Sequence, residues 1–476
     1  MSFKQNTIFV TQNQKLMTEK IHRVLRDSKA ARWAALFIVS FTMFAGYFLA
    51  DVMAPLQTLL EKQLNWNANE YGFFTSAYGW FNVFLFFLII GGIILDKMGV
   101  RFTGLMAAMI MVGGTAIKYW AISTHSLDGT ILFGWKAQVM VAAIGYAIFG
   151  VGVEVAGITV TKIIVKWFKG HEIALAMGIQ LAVARLGTAL ALSTSAPIAK
   201  AAGTVSMPVL ICLIALCIGL LSFFVYTFRD KKLDASIKAA NLDNDAPAEE
   251  EFKIKDIFRI LNNKGWWYIA LLCVLFYSAV FPFLKYATNL MVNKFGVDEA
   301  VAGVIPGLLP FGNILLTPLF GGIYDKKGKG ATIMIIGALI LILVHALFAV
   351  PFLNHWFIAI LLVITLGIGF SLVPSAMWPS VPKIIPERQL GTAYSLIFWV
   401  QNWGLMGVPY LIGWVLDKYC VTGQNIVDGQ AVTTFNYTIP MLIFMGFGVL
   451  ALIFAFLLKA EDKKKGYGLQ LPNIKK

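Results

Sequence analysis

Across 476 residues, hydrophobic types make up 58% and charged types only 13%, where a soluble domain carries about a quarter charged residues. A water-soluble fold could not cover so much apolar surface, so the composition argues against a soluble enzyme or binding module and places the chain in a lipid bilayer. The net charge of +14 has no separate basic domain behind it, which removes the nucleic-acid reading.

Residues 1–31 are polar and basic, with no apolar stretch and no small-residue cleavage site, and read as a tail rather than a signal peptide. Hydropathy then predicts twelve helices long enough for about 30 Å of hydrocarbon, over 32–58, 71–95, 102–123, 135–163, 172–198, 206–228, 266–293, 299–322, 331–352, 356–383, 390–416 and 438–459. The fold class expected is an all-α membrane protein with two six-helix bundles, 32–228 and 266–459, followed by a tail at 460–476. The polar stretch 229–265 divides them as a linker, with an amphipathic helix expected around 252–261. Lys and Arg crowd the N-terminal tail, the second connection (Lys97, Arg101), the fourth (Lys166, Lys169), the eighth (Lys326, Lys327, Lys329) and the C-terminal tail. The positive-inside rule therefore puts both termini in the cytoplasm. Economical loops suggest a bacterial inner membrane, and a monomer is expected.

Ionisable residues inside spans are costly and mark substrate or ion paths. In the fourth span Glu154 lies 15 residues before Lys169, and in the fifth Arg185 lies 16 after it. At about 1.5 Å per residue both sit roughly 23 Å from the intervening turn, near mid-bilayer. They are either a structural ion pair or ligands for a charged solute. Asp51 and Lys285 are further candidate cavity residues, each equally able to reach the membrane surface, whereas Lys118 is expected at that surface. Trp378 lies in a span interrupted by Pro374, Pro379, Pro382 and Pro386, which free carbonyls for a ligand. Tyr277, Tyr394, Gln401 and Asn402 are polar groups that serve either as interhelical contacts or as substrate ligands.

Four cysteines and five histidines give no disulfide framework and no metal-ligand spacing, so neither a metal nor a cofactor is expected. No nucleophile, base or metal set has recognisable spacing, so the chain is not expected to be an enzyme.

An internal repeat carries the strongest motif. Gly92-Ile-Ile-Leu-Asp96-Lys97-Met-Gly99, followed by Arg101, and Gly321-Gly-Ile-Tyr-Asp325-Lys326-Lys-Gly328 share the pattern Gly-x-x-x-Asp-Lys-x-Gly at matching helix ends, 229 residues apart. Glycine admits a neighbouring helix, and the aspartate can accept from backbone amides at the start of the next helix. The repeat is expected to act as a clasp that opens and closes as two matched halves rock. It resembles the signature loops of the major facilitator superfamily, and the resemblance spans the chain from about Arg32 to Leu458.

Longer strings narrow this. Phe149-Gly-Val-Gly-Val-Glu154, Lys166-Trp-Phe-Lys-Gly170, Gly178-Ile-Gln-Leu-Ala-Val-Ala-Arg185-Leu-Gly187, Tyr277-Ser-Ala-Val-Phe-Pro-Phe283, Trp378-Pro379, and Gln389-Leu-Gly-Thr-Ala-Tyr394 with Gln401-Asn402 are similar to the branch that holds the lysosomal dipeptide uniporter. The resemblance implies alternating-access transport of dipeptides, with Glu154 and Arg185 matching charged cavity residues. A zwitterionic dipeptide presents an ammonium suited to a carboxylate and a carboxylate suited to a guanidinium fork. Exchange of organic or phosphorylated anions is the alternative among transporters, and a non-transporting receptor is the alternative outside them.

Overall fold

The computed structural model describes residues 24–169, 171–239, 254–386, 389–427 and 430–472. The basic residues expected in 1–23, the acidic run of the linker at 240–253 and the last residues of the tail lie outside them.

The first span comprises α1 (Lys29–Asp51) and α2 (Gln57–Leu64), joined through a 3-10 turn at Ala54–Leu56. Pro55 has no N–H to continue the helix, so the chain bends there. The second span is fragmented into α3 (Ala68–Ser76), a turn at Ala77–Gly79, α4 (Trp80–Phe84) and the start of α5 (Phe87–Ser123). The break falls at Phe86, which takes φ 55°. α5 bends again at Gly99, φ 75°, and continues as the third span.

The fourth to sixth spans are α6 (Ala137–Trp167), α7 (Ile173–Ala202) and α8 (Ser206–Ala239). α8 runs past the bundle end expected at 228. Its polar turns are sustained by partners: Lys166 binds Asp230 (2.8 Å) and Asp234 (2.7 Å), and Arg101 binds Asp234 at 3.0 Å. The Arg32 guanidinium, which donates to Glu172 at 3.1 Å, holds that carboxyl below its usual range at the same face.

α9 (Ile254–Leu261) is the amphipathic helix at the linker's end. The second half follows as α10 (Lys264–Ser278) and α11 (Phe281–Phe295), which form one kinked span, then α12 (Val304–Lys327), α13 (Gly330–Ala349), α14 (Trp356–Ile384), α15 (Leu390–Tyr419) and α16 (Thr438–Lys465). Two antiparallel hairpins cap loops, β1 (Ile131–Leu132) with β2 (Trp135–Lys136) and β3 (Val421–Val427) with β4 (Gln430–Phe435). The residues after α16 form a strap: Gly330 N–H donates to Leu469 O and Lys383 Nζ to Leu471 O, both at 2.9 Å.

Among the described residues ten helical stretches are long and apolar enough to cross a membrane. The two expected spans that fall short are the broken second and the eleventh, α15, whose Trp, Tyr, Gln and Asn residues dilute 30 otherwise adequate positions. Both still pack as spans, against each other. Gly72 and Gly413 make this possible, because a Cβ on Gly72 would lie 2.9 Å from Gly413 Cα. This crossing and the packing of α7 on α12 join the two halves.

Candidate functional site

Between the halves lies a cavity of about 880 Å³, lined by Asp51, Glu154, Arg185, Lys285, Tyr277, Trp378, Tyr394 and Gln401 among others. It reaches Gly92, Asp96, Gly391 and Thr392, so it opens toward the face rich in Lys and Arg. The opposite face is shut by layers of contacts between halves. Glu299 accepts from Lys62 (3.4 Å) and Lys200 (3.2 Å), and Glu61 accepts from the Thr433 amide at 2.9 Å. Below them Asn289 donates to Thr58, and Tyr71 to the Lys285 carbonyl at 2.9 Å.

Glu154 reaches the cavity through a close helix crossing. A Cβ at Gly150 would collide with the Tyr78 carbonyl, so only glycine lets α6 approach the broken second span. The Tyr78 hydroxyl then donates to Glu154 Oε1 at 2.8 Å. Arg185, from α7, stands in an aromatic enclosure, its guanidinium carbon 5.7 Å from the Tyr47 ring, 5.4 Å from Phe281 and 5.7 Å from Phe370. Among the described residues the guanidinium has no hydrogen-bonded acceptor, and no ion pair joins it to Glu154. The cavity therefore holds a half-buried cation and a half-buried anion that are not spent on each other.

Asp51 and Lys285 do pair, at 2.6 Å, with side chains 13% and 15% exposed. The break after α1 exposes the Ala50 carbonyl, which accepts from Lys285 Nζ and from Tyr146 at 2.7 Å. These two expected substrate ligands thus form a bridge between halves at the cavity's closed end.

Trp378 lines the wall, donating to Tyr277 at 3.2 Å and packing 5.0 Å from Phe398. Its carbonyl has no helical donor because residue 382 is proline, and the Tyr394 hydroxyl fills that place at 3.0 Å. The carbonyl expected to be free for a ligand is therefore occupied. Gln401 lines the cavity. Asn402 does not: it is buried against its own helix, donating to the Phe398 carbonyl, because adjacent helical positions face different sides. Lys118, expected at the membrane surface, is fully buried between Phe74 and Tyr146, its Nζ 4.8 Å from the Tyr146 ring.

In its first copy the repeat makes ion pairs between side chains. Asp96 binds Lys162 of α6 at 3.0 Å with its side chain 58% exposed, and Arg101 holds α8. Both contacts stay within the first half. In the second copy Gly321 lies in open space and the Asp325 helix ends at Gly328, φ 67°, where the strap packs so closely that a Cβ would collide with the Gln470 carbonyl. Tyr47, Phe370 and the Lys62–Glu299–Lys200 cluster are not legible in the sequence as parts of the site. Phe370 has no polar signal, Tyr47 stands alone among apolar residues, and the third lies at span ends where charges are ordinary.

A sequence model described as the Major Facilitator Superfamily matches residues 29–409. The chain belongs to this superfamily. It is accordingly a multi-pass membrane transporter, and the expected kinship holds. The Lysosomal dipeptide transporter MFSD1 of Danio rerio is 28% identical over 412 residues, 83% of this chain and 81% of the relative. The Homo sapiens protein of the same name is 27% identical over 403 residues, 82% and 81% respectively. Among solved structures the nucleoside transporter NupG superposes with a TM-score of 0.65 at 16% identity, covering 90% of this chain and 99% of that one; at that identity the likeness shows the fold.

Proposed function

We propose that this transporter carries dipeptides by alternating access, with Glu154 receiving the peptide ammonium and Arg185 its carboxylate. The observation that supports this reading is the pair of opposite charges lining one cavity without an ion pair between them. A guanidinium held on ring faces keeps its edge donors for a planar carboxylate. Trp378, Tyr277, Tyr394 and Phe398 supply an aromatic wall for side chains, which suits tolerance of side-chain identity. MFSD1 relatives named as dipeptide transporters support the same substrate class.

Exchange of phosphorylated anions needs two converging cations, and the second cation of the cavity wall, Lys285, is held by Asp51. Asp96 and the Gly92–Gly99 and Gly321–Gly328 segments are proposed as gating elements, separated here because the cavity is open beside Asp96. Charge asymmetry orients both termini to the cytoplasm, so this conformation faces inward, and the membrane proposed is a bacterial inner membrane.

Uptake of labelled dialanine into proteoliposomes tests the reading. Saturable uptake accelerated by unlabelled dipeptide inside the vesicle is expected. Binding without flux would make the protein a receptor, and stimulation only by internal phosphate esters would favour the anion exchanger.

A further inference from the structure

Where the chain enters its second half, α9 and the end of α16 frame a second cavity, of about 460 Å³, on the basic face. Its wall carries Arg259, Lys264, Lys464 and Lys465 against one acid, Glu461. Several basic residues elsewhere on this face are paired, Lys162 with Asp96, Lys166 with Asp230, and Arg101 with Asp234. The four cations of this cavity have no ion pair among the described residues. Like charges within a Debye length, about 8 Å at physiological salt, repel, and an anion with several oxygens would relieve that repulsion.

The surroundings indicate which anion. α9 exposes Phe258 (65%) beside Arg259. On α16, Ile453 (48%) and Leu457 (40%) are exposed on the stripe that ends at Lys464, since spacings of 11 and 7 residues return to one helix face. An apolar, lipid-facing stripe thus leads toward a cationic cavity whose Lys464 lies about 17 Å along the helix from Ile453. A free phosphate would use only the cavity, whereas a phospholipid uses both surfaces.

We propose that this cavity binds the headgroup phosphate of an anionic phospholipid, its acyl chains descending along α16 past Leu457 and Ile453. Basic pockets beside membrane helices on this side are where anionic lipid head groups bind. The site also touches the transport machinery: Trp267 Nε1 ties α10 to the Leu261 carbonyl of α9 at 2.7 Å, and Trp266 Nε1 donates to Ala393 on α15 at 3.2 Å. A bound lipid would brace α9 against the first helix of the second half.

The test uses the purified full chain in detergent, native mass spectrometry and phosphatidylglycerol as probe. Wild type is expected to retain one lipid. The quadruple variant R259Q/K264Q/K464Q/K465Q is expected to need roughly tenfold more or beyond for equal occupancy, while phosphatidylcholine is held equally weakly by both. The variant K326Q/K327Q, on the same face, is expected to keep wild-type retention. Undiminished retention by the quadruple variant overturns the proposal, as does equal loss in K326Q/K327Q, which would reveal nonspecific attraction. Displacement by excess glycerol 3-phosphate, an anion without chains, would show a phosphate site rather than a lipid site and overturn it too.

Discussion

Arg185→Ala separates substrate recognition from fold because the guanidinium has no protein acceptor among the described residues. Truncation leaves no orphaned partner in the wall, and the protein loses only ring contacts with Tyr47, Phe281 and Phe370, about 0.5–1 kcal/mol each. The ligand loses a charge-assisted contact of about 3 kcal/mol, so the Kd for dialanine should rise roughly hundredfold. Dialanine amide offers the guanidinium only a neutral carbonyl, about 1.5 kcal/mol at the weak end for a bond to a charged group, and should lose roughly tenfold. Titration calorimetry of both ligands on both proteins gives the comparison, with thermal unfolding as the control for folding. If dialanine and its amide lose the same factor, Arg185 is not the carboxylate anchor and the assignment of the cavity's charges fails.

Two further tests follow from the same geometry. Glu154→Gln keeps an oxygen to accept from Tyr78 while removing the charge; it should weaken dialanine roughly tenfold or more and leave N-acetyl dialanine unchanged, as measured by competition for uptake. Asp51→Asn removes a bridge between halves; with about 2 kcal/mol lost from the closed arrangement after discounting for partial exposure, a cysteine at Thr58 should react with a thiol reagent roughly 30-fold faster, and D51K/K285D should restore slow labelling.

Cost and periodicity are what leave a mark in the chain. Apolar length exposes most spans, and the expense of charge in lipid exposes Glu154, Arg185, Asp51 and Lys285. Which charges meet is not legible, because helical depth fixes height and not azimuth. Glu154 and Arg185 share a depth without an ion pair, whereas Asp51 and Lys285, in different halves, do pair. Asn402 stands next to Gln401 in sequence, and that adjacency hides the turn of about 100° that separates their directions. Pro382 frees the Trp378 carbonyl, yet the hydroxyl that takes it comes from Tyr394, on another helix. Lys118 is the converse case: nearness to a helix end suggests the surface, but the ring faces of Tyr146 and Phe74 enclose it.

The formal charges around the cavity bear on coupling. Its wall carries Asp51, Asp96 and Glu154 as acids and Arg185 and Lys285 as bases, and Lys162 neutralises Asp96, so three negative and three positive charges sum to zero. A zwitterionic dipeptide adds no net charge and supplies each unspent side chain with its complement. Loaded and empty cavities then face the bilayer with the same net charge, and neither state carries an excess electrostatic penalty for crossing. A monoanion would leave the loaded cavity at minus one and need a compensating cation, which the Asp51–Lys285 bridge withholds. Under the proposed binding of a zwitterion by Glu154 and Arg185, neutral pairing in both states would let the carrier return empty without a coupling ion, which is consistent with facilitated movement rather than obligatory anion exchange.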